Sequence, residues 1–188
     1  MSKIKLPHSS GNSMSIAAPA TNPASDLELK LPATIGTAHQ LLRNSGTAGT
    51  LEFTHNHFFE VKRSGNQSSY NGNSLTSIIE FDSENYDTGS NFNTSTYLFT
   101  VPETGLYHFI AGARSDETNM SQAWLVVNGS RHSYTDWVQT TASNFISSSH
   151  IEYLTAADTV GYHVHTGDGS STILQSANHT YFKGYKVH

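Results

Sequence analysis

The sequence of 188 residues contains no cysteine, so no disulfide bond stabilises the fold and its stability has to come from packing or association. Charged residues make up only 13% of the chain, and the formal net charge is -5. This balance gives no reason to expect binding to nucleic acid or to an anionic membrane surface. No apolar run reaches the roughly 18 residues of a membrane span, which argues against membrane insertion.

Motifs that mark enzymes are missing as well. The chain has no cysteine nucleophile, no HExxH pair, no glycine-rich phosphate loop and no Gly-x-Ser-x-Gly turn. No pair of carboxylates marks a glycan-cleaving groove. We therefore expect a protein that is not an enzyme.

The first 55 residues differ in composition from the rest of the chain. They hold four of the five prolines and no Phe, Tyr or Trp before Phe53. A segment so poor in large apolar side chains cannot bury enough area to offset its conformational entropy on its own. We therefore expect an extended arm or shaft, residues 1–55, followed by a globular head, residues 56–188.

Two short patterns in the arm indicate contacts with other chains. Leu27, Leu29 and Leu31 alternate with polar residues, so they are predicted to form a strand that adds to a partner surface. Residues 36–42 and 46–51 repeat a Gly-Thr-Ala start with an offset of ten, which suits a thin shaft in which chains wind around a common axis. Disorder until assembly is the alternative, because two copies are too few to establish a repeat architecture.

The head consists of short runs of aromatic and β-branched residues, interrupted by Gly and Asn, without sustained helical periodicity. This pattern predicts an all-β sandwich or jelly roll of about eight to ten strands. A tight turn is predicted at Asn128-Gly129, a favoured pair in β-hairpins. The predicted strands are residues 58–61, 77–81, 96–101, 106–113, 123–127, 133–138, 145–153, 160–165 and 181–187.

The runs 96–101 and 106–113 are separated by Pro102-Glu-Thr-Gly105, and we expect them to form a hairpin. Pro102 lacks an amide hydrogen, so it should lie at a strand end. Gly105 is expected to take a positive φ in the turn. The aromatic residues around them are expected to pack in the core.

Seven positions in this region have a recognisable spacing. Intervals of six, five, seven, six, two and two residues separate Phe81, Asp87, Phe92, Phe99, Gly105, Tyr107 and Phe109. This spacing resembles the signature of C1q-like (C1q/tumour-necrosis-factor type) jelly-roll domains, although Ala111 stands where that family usually has a final aromatic residue. Residues 154–160 and 181–185 resemble the last two strands of the same fold. The resemblance covers about residues 56–188 and implies a trimeric module that binds targets without catalysis.

The arm resembles the N-terminal segments of tail-fibre and structural proteins from tailed phages of marine bacteria. In those proteins the segment precedes varied C-terminal domains, which implies attachment to the virion. The first lysines of the chain are not followed by an apolar stretch, so we expect no secretory signal. Assembly in the host cytoplasm and release by lysis, as part of a virus particle, agrees with this expectation.

Histidine is frequent, with 11 in the chain, and two His-x-His pairs stand out. His55 and His57 lie where the arm meets the head, and His163 and His165 lie in a predicted strand, on the same side. On a threefold axis, one pair per chain would offer six imidazole nitrogens, an octahedral set for a first-row transition metal. Some phage fibres resemble this arrangement, with an ion on the axis. Surface or interface histidine is the alternative.

Calcium is the other cofactor to consider, because some C1q-like domains carry it. Acidic residues cluster in predicted loops at 82–87, at 116–117 and at Asp168. None of these clusters follows the alternating ligand spacing of a calcium-binding loop. We interpret them as solvated loop residues and expect no required cofactor.

Recognition is the activity that the head composition favours. The predicted loops 82–91, 114–121, 128–133, 139–144 and 166–178 are rich in short polar side chains, which can hydrogen-bond to carbohydrate hydroxyls. Trp124 is expected to pack in the core, whereas Tyr134 and Trp137 have polar neighbours and could stack on a ligand. The candidate ligand-binding residues are Tyr134, Trp137, Asp116, Asn119 and Asp168.

Together these patterns predict a homotrimeric, non-enzymatic phage virion protein, a tail fibre or similar appendage. The arm would bind other virion proteins, and the head would bind the bacterial surface through lipopolysaccharide or another envelope glycan. The alternative from a different class is an architectural component, such as a capsid-decorating or tail-connecting protein. A secreted glycan-binding module is the third hypothesis, and it would need an export route.

Overall fold

A computed structural model describes residues 3–7, 11, 13–17, 21, 23–25, 27–37, 40–117, 120–134, 144–176 and 178–187. The chain divides into two compact units, Met1–Thr54 and His55–His188. The described residues form strands, turns and extended segments, and no helix. Accordingly, nowhere in the described part of the chain is there a helix that could cross a membrane.

The first unit contains two short pairs of strands. β1 (Lys3–Pro7) pairs antiparallel with β2 (Ser13–Ala17), and β3 (Gln40–Asn44) pairs with β4 (Leu51–His55). Among the described side chains of residues 27–54, every one is half-buried or exposed. This part of the chain therefore lacks a core of its own, as its composition leads one to expect.

The second unit contains two five-stranded antiparallel sheets that face each other. The first sheet has the order β13-β10-β16-β5-β7, and the second has the order β12-β11-β14-β9-β8, while β6 and β15 form a small separate sheet. The strands are β5 (Phe58–Lys62), β6 (Gln67–Tyr70), β7 (Ser83–Asp87), β8 (Phe92–Asn93), β9 (Leu98–Thr100), β10 (Gly105–Arg114), β11 (Gln122–Val127), β12 (Ser130–Tyr134), β13 (Phe145–Leu154), β14 (Thr159–His165), β15 (Ser171–Ile173) and β16 (Tyr181–Lys186).

The core between the two sheets is mainly aromatic. Phe59 of the first sheet stacks on Phe99 of the second, with ring centroids 4.6 Å apart, and meets Phe182 edge-on at 5.1 Å. Burying one such ring stabilises the fold by roughly 1.5–3 kcal/mol. The five aromatic positions of the predicted signature are all buried here, so the expectation of core packing is confirmed: Phe81, Phe92, Phe99, Tyr107 and Phe109.

Two further predictions about the head are confirmed. The ten strands of the two main sheets form the expected all-β jelly-roll sandwich. Asn128 and Gly129 connect β11 to β12 with φ of 50° and 73°, the pair of positive values that a tight hairpin turn requires. The signature residue Asp87 braces a different turn, since its carboxylate accepts hydrogen bonds from the amides of Gly89 and Phe92 at 3.1 and 2.6 Å.

The hairpin predicted for residues 96–101 and 106–113 is wrong. β9 pairs with β8 and β14 in the second sheet, whereas β10 pairs with β13 and β16 in the first. Residues 101–104 therefore cross from one sheet to the other instead of reversing within one. Gly105 begins β10 opposite Leu154 without a positive φ, so its predicted turn role is also wrong.

Several strand boundaries also differ from the prediction. Residues 77–81 are extended and bury Ile79 and Phe81, but they form no strand, and β7 instead lies inside the predicted loop 82–91. β7 is an edge strand with mostly exposed side chains, so it lacks the apolar alternation that would predict it. The predicted loops 128–133 and 166–178 contain the start of β12 and all of β15. The predicted strand 133–138 meets β12 only at Ser133 and Tyr134, and residues 135–143 lie outside the described residues.

Candidate binding surfaces of the head

The outward side of the first sheet exposes a group of large apolar side chains. Along β10 and β13 the side chains alternate between the core and the opposite side, and the outward pairs include His108 with Ile151 and Leu106 with Tyr153. Phe58, Tyr86, Ile151, Tyr153 and Tyr185 are exposed, with fractions from 38% for Phe58 to 70% for Tyr153, whereas His108 and Ile110 are half-buried. We call this surface the aromatic face, and it consists of Phe58, Tyr86, His108, Ile110, Ile151, Tyr153 and Tyr185.

His108 organises the centre of the aromatic face. Its Nδ1 lies 2.9 Å from the hydroxyl of Tyr185, and its Nε2 lies 2.7 Å from the hydroxyl of Ser149. Both hydroxyls can donate or accept, so the neutral ring is satisfied in either tautomer. These bonds hold His108 and Tyr185 in fixed orientations, so the face is largely preorganised for contact.

A groove of about 460 Å³ lies in the aromatic face, between Phe58, Tyr86, His108 and Tyr185. Phe58 meets Tyr86 edge-on, with ring centroids 5.6 Å apart. Burial and the neighbouring carboxylate of Glu60 raise the pKa of Tyr86, so its hydroxyl remains neutral and donates to Glu60 at 3.3 Å. The groove therefore offers aromatic walls to an apolar side chain.

The five candidate ligand-binding residues are not gathered into one site by the described part of the structure. Asn119 and Trp137 lie outside the described residues, and Tyr134 ends β12 opposite Trp124. The carboxylate of Asp116 accepts a hydrogen bond from the amide of Thr172 at 2.8 Å, and that of Asp168 accepts one from Ser170 at 3.0 Å. Both carboxylates thus brace loops of the head, and their ligand-binding role stays a prediction.

Electrostatics at Asp116 agree with this bracing role. Burial alone would raise the pKa of Asp116, but its hydrogen bonds from Thr172 and Ser115 outweigh that effect and hold the pKa below its usual value. The carboxylate is therefore charged at neutral pH and engaged with Thr172 of β15 and with the adjacent Ser115.

His163 and His165 lie on the same side of β14, but His163 is covered there. Its Nδ1 donates to the carbonyl of Ser77 at 2.6 Å, and its ring stacks on Trp124 with centroids 4.0 Å apart. The indole Nε1 of Trp124 in turn donates to the carbonyl of Leu75 at 3.0 Å. We call residues 71–80 the covering segment, because they lie over this outward side of the second sheet.

The covering segment leaves His163 fully buried, with no hydrogen-bond partner for Nε2 in the described part of the chain. Burial lowers the pKa of His163 to about 4, so the ring is neutral at pH 7. An axial metal ion at His163 and His165 would require the covering segment to move, and it stays a prediction.

His57 has acidic and polar partners that sequence spacing did not indicate. Its Nε2 lies 3.7 Å from the carboxylate of Glu103, and its Nδ1 lies 3.2 Å from the side-chain nitrogen Nδ2 of Asn91. Burial lowers the pKa of His57, although Glu103 opposes this effect. His55 is exposed at the end of β4. Among the described residues, no three His, Asp or Glu side chains come together in a way that could hold a metal ion, and the transition-metal and calcium hypotheses stay predictions.

The leucines of the predicted docking strand are exposed in the first unit. Leu27, Leu29 and Leu31 show 77%, 61% and 73% of their surfaces, and Lys30 between them forms an isolated parallel bridge to Thr50. Ile35, a little further along, is 96% exposed. These aliphatic side chains are therefore available to another chain, and their docking role stays a prediction.

Sequence reasoning missed the aromatic face. Its signal was present in residues 106–110, where Leu106 and Ile110 alternate with Tyr107 and Phe109, so that both sides of one strand are apolar. A strand that is apolar on both sides is typically covered on both sides. Within the described part of the chain, the side of β10 that carries Leu106, His108 and Ile110 is covered only in part.

Comparisons with known proteins agree with this architecture. The family model for the C1q domain matches residues 58–187. The globular domain of zebrafish complement 1qA is similar over 70% of this chain and 98% of its own length, with a TM-score of 0.51 and 18% identity. A crystal structure of murine APRIL is similar over 70% of this chain and 99% of its own, with a TM-score of 0.53 and 12% identity. At these identities the likeness shows the fold alone, and no curated protein matches the sequence.

Proposed function

The chain belongs to the C1q-domain family, and on this premise we propose that it is a homotrimeric, non-enzymatic phage virion protein whose head binds the bacterial surface. The head is a C1q/TNF-type module. The observation that supports the homotrimer is the aromatic face, whereas the virion role rests on the resemblance of the arm.

A second copy of this chain is the occupant that best fits the aromatic face. Monomeric soluble proteins rarely expose large contiguous apolar patches. The groove lies towards the β5–β7 side of the sheet, whereas Ile151 and Tyr153 project from β13 at the opposite edge. Such an arrangement suits a head-to-tail contact, in which Ile151 or Tyr153 of one copy enters the groove of the next. A closed ring of three copies would cover every aromatic face.

The arm supports placement in a virion. It resembles virion-anchoring segments of tailed phages, and its exposed leucines suit addition to another protein surface. Three heads carried on such an arm would bind a repetitive glycan surface with increased avidity, even if each single site is weak. Adsorption as a tail fibre is therefore the function that we favour.

The same exposed aliphatic side chains also favour the second candidate function. Leu27, Leu29, Leu31 and Ile35 would serve equally to fix an architectural protein to the capsid or to the tail. In that case the head would contact other virion proteins and not the host.

Cryo-electron microscopy of particles of the phage to which we assign this chain tests the proposal and separates the two candidates. We expect threefold density for the head at the tip of a tail appendage, and purified protein should bind host cells and compete with phage adsorption. If the heads instead lie enclosed between other virion subunits, the architectural function is supported and adsorption is refuted. A chain absent from the particle and monomeric at micromolar concentration would refute both.

A further inference from the structure

A second groove lies outside the aromatic face and has the opposite character. It has a volume of about 360 Å³ and is lined mainly by polar side chains of β6, the covering segment and Tyr97. We propose that this polar groove binds one neutral sugar residue of a surface glycan. The inference rests on the proposed function and assigns the binding site within the head.

The polar groove stays open when the aromatic face is covered. Two of its lining residues hold β14 in the second sheet: Tyr70 exchanges hydrogen bonds of 3.0 Å with the backbone of Val164, and Ser77 accepts the 2.6 Å bond from His163. The aromatic face lies on the outward side of the first sheet, across the core. A trimer closed through the aromatic face would therefore carry three polar grooves that point away from its axis.

The polar groove presents hydrogen-bonding groups that the head itself does not use. Within the described part of the chain, the hydroxyls of Ser69 and Tyr97 make no hydrogen bond. The Oδ1 of Asn71 accepts from the amides of Asn73 and Ser74, both at 3.2 Å, which leaves its NH₂ group directed to other partners. Ser69 and Asn71 are exposed and Tyr97 is half-buried, so these donors and acceptors are accessible to a ligand rich in hydroxyls.

The floor of the groove is fixed, so these groups are held in place. Gln67 is buried, and its amide accepts from the backbone of Glu80 at 2.9 Å and donates to the carbonyl of Ile78. Both ends of this side chain thus tie β6 to the covering segment. Preorganisation of this kind lowers the entropy cost of binding a small ligand.

Backbone conformation points to the same two side chains. Ser69 and Tyr97 both have positive φ, 57° and 63°, although neither is glycine. Left-handed conformations are costly for such residues and persist where the surrounding structure enforces them, often at binding sites. At Tyr97 this conformation places a half-exposed ring on the wall of the groove, where it can stack on the apolar side of a sugar ring.

Charge restricts the ligand to neutral sugars. Among the described residues that line the groove there is no Lys or Arg, and Glu80 contributes a carboxylate. Arg63 is buried, donates to the backbone carbonyl of Glu80, and lies 4.0 Å from the Glu80 carboxylate and 3.5 Å from that of Asp82. Its charge is therefore compensated within the head. A phosphate, a uronic acid or a sialic acid would meet the Glu80 carboxylate, and the Arg63 guanidinium beside it is buried and already paired with Glu80 and Asp82.

The volume suits a small ligand. At about 360 Å³ the polar groove stands near the lower end of the range for small-molecule sites, which begins at roughly 300 Å³. It therefore suits one sugar residue of a longer glycan rather than an extended stretch of the chain.

Two variants test the assignment while preserving the backbone. Tyr97→Asn removes the ring but keeps a residue that tolerates positive φ. Ser69→Gly removes the hydroxyl and relieves the strained conformation, so the thermal midpoint of the head should stay the same or rise while binding weakens. Ser68→Ala is the matched control, because Ser68 is exposed on the same strand but does not line the groove.

Binding is measured by saturation-transfer NMR on the full chain. The probes are glucose, galactose, mannose and N-acetylglucosamine, with glucuronic acid, sialic acid and glucose 6-phosphate as anionic comparators. We expect at least one neutral sugar and none of the anionic ones to bind. Affinity should fall about tenfold in Tyr97→Asn and about fivefold in Ser69→Gly, with no change in Ser68→Ala.

The outcomes separate this inference from the proposed function. Equal sugar affinity in Tyr97→Asn, Ser69→Gly and Ser68→Ala would refute the site even if the head binds host cells. Preference for the anionic probes, or no sugar binding by a head that binds cells, would also refute it. Groove-dependent sugar binding by a head that does not bind cells would leave the site intact and remove adsorption as the function.

Discussion

Replacing Ile151 by serine should weaken the trimer without unfolding the head. Ile151 lies on β13, at an edge of the aromatic face, and exposes 60% of its surface in the single chain. Ser147 and Ser149 already stand on the same side of the same strand, so a third serine there is compatible with the sheet. The substitution removes apolar contact area at the interface and adds no charge.

The size of the effect follows from the exposed fraction. Complete burial of an isoleucine side chain contributes about 1.5–3 kcal/mol, so covering its exposed part contributes roughly 1–2 kcal/mol at each interface. A closed trimer repeats this contact three times, which gives roughly 3–5 kcal/mol in total. The trimer dissociation constant should therefore rise by between about 10² and about 5 × 10³. The concentration at which half of the chains are trimeric scales with the square root of this dissociation constant, so it should rise about 10- to 70-fold.

Sedimentation equilibrium over a range of concentrations measures this change. Leu75→Ser is the matched control, since Leu75 is 56% exposed but belongs to the covering segment on the other side of the head. Its half-assembly concentration should equal that of the wild type. If Ile151→Ser and Leu75→Ser assemble alike, the aromatic face is not the contact between copies, and the assignment of the trimer interface is refuted.

Two further predictions concern the fold itself. Gly184→Ala should destabilise the head by about 1–3 kcal/mol in urea unfolding, because its Cβ would lie 2.6 Å from a ring carbon of Phe109. Gly65→Ala, where nothing lies within 4 Å, is the control, and equal midpoints would contradict the packing described. Acidification should also destabilise the head: burial lowers the pKa of His163 to about 4 from 6.5, so the unfolded state takes up the proton first. This contribution to stability is complete above pH 6.5 and should decline by roughly 3 kcal/mol as the pH falls to 4. An NMR titration of His163 with a midpoint near 6.5 would show instead that the ring is accessible.

The core of the head could be predicted from the sequence because buried strands show a regular alternation of apolar residues. Tyr107 and Phe109 alternate along one strand, and both lie in the aromatic core. The spacing from Phe81 to Phe109 also carried the family resemblance, which the match over residues 58–187 confirms. The assignment of β9 and β10 to different sheets could not be predicted, because no sequence pattern distinguishes it from a hairpin. Residues 101–104 have the length and composition of a hairpin turn, but a short loop that crosses between two sheets has the same local requirements.

The binding surfaces could not be located from the sequence for a similar reason. Ile151 and Tyr153 alternate with His150 and Glu152, which shows a strand with two different sides but not which side faces the core. The structure buries His150 and leaves Ile151 exposed, against the usual preference of both residue types. Likewise, Tyr97 and Ser69 are 28 positions apart in the chain, and only the fold brings them to one groove.

The aromatic face and the polar groove lie on opposite sides of the head, so a trimer formed through the first would present three copies of the second. A groove with a few neutral hydrogen bonds and one aromatic ring gives weak affinity for a single sugar. Linking three such sites raises the apparent affinity for a repetitive surface by about 10² to 10⁴ without any new contact. The Ile151→Ser head, used below its half-assembly concentration, should therefore keep its affinity for the free sugar. Its binding to host cells should fall by that factor, as measured by flow cytometry with labelled protein. Undiminished cell binding by the monomer would mean that a single high-affinity site is responsible for adsorption. The groove lined by Ser69, Asn71 and Tyr97 offers too few contacts for high affinity, so the binding site would then lie elsewhere.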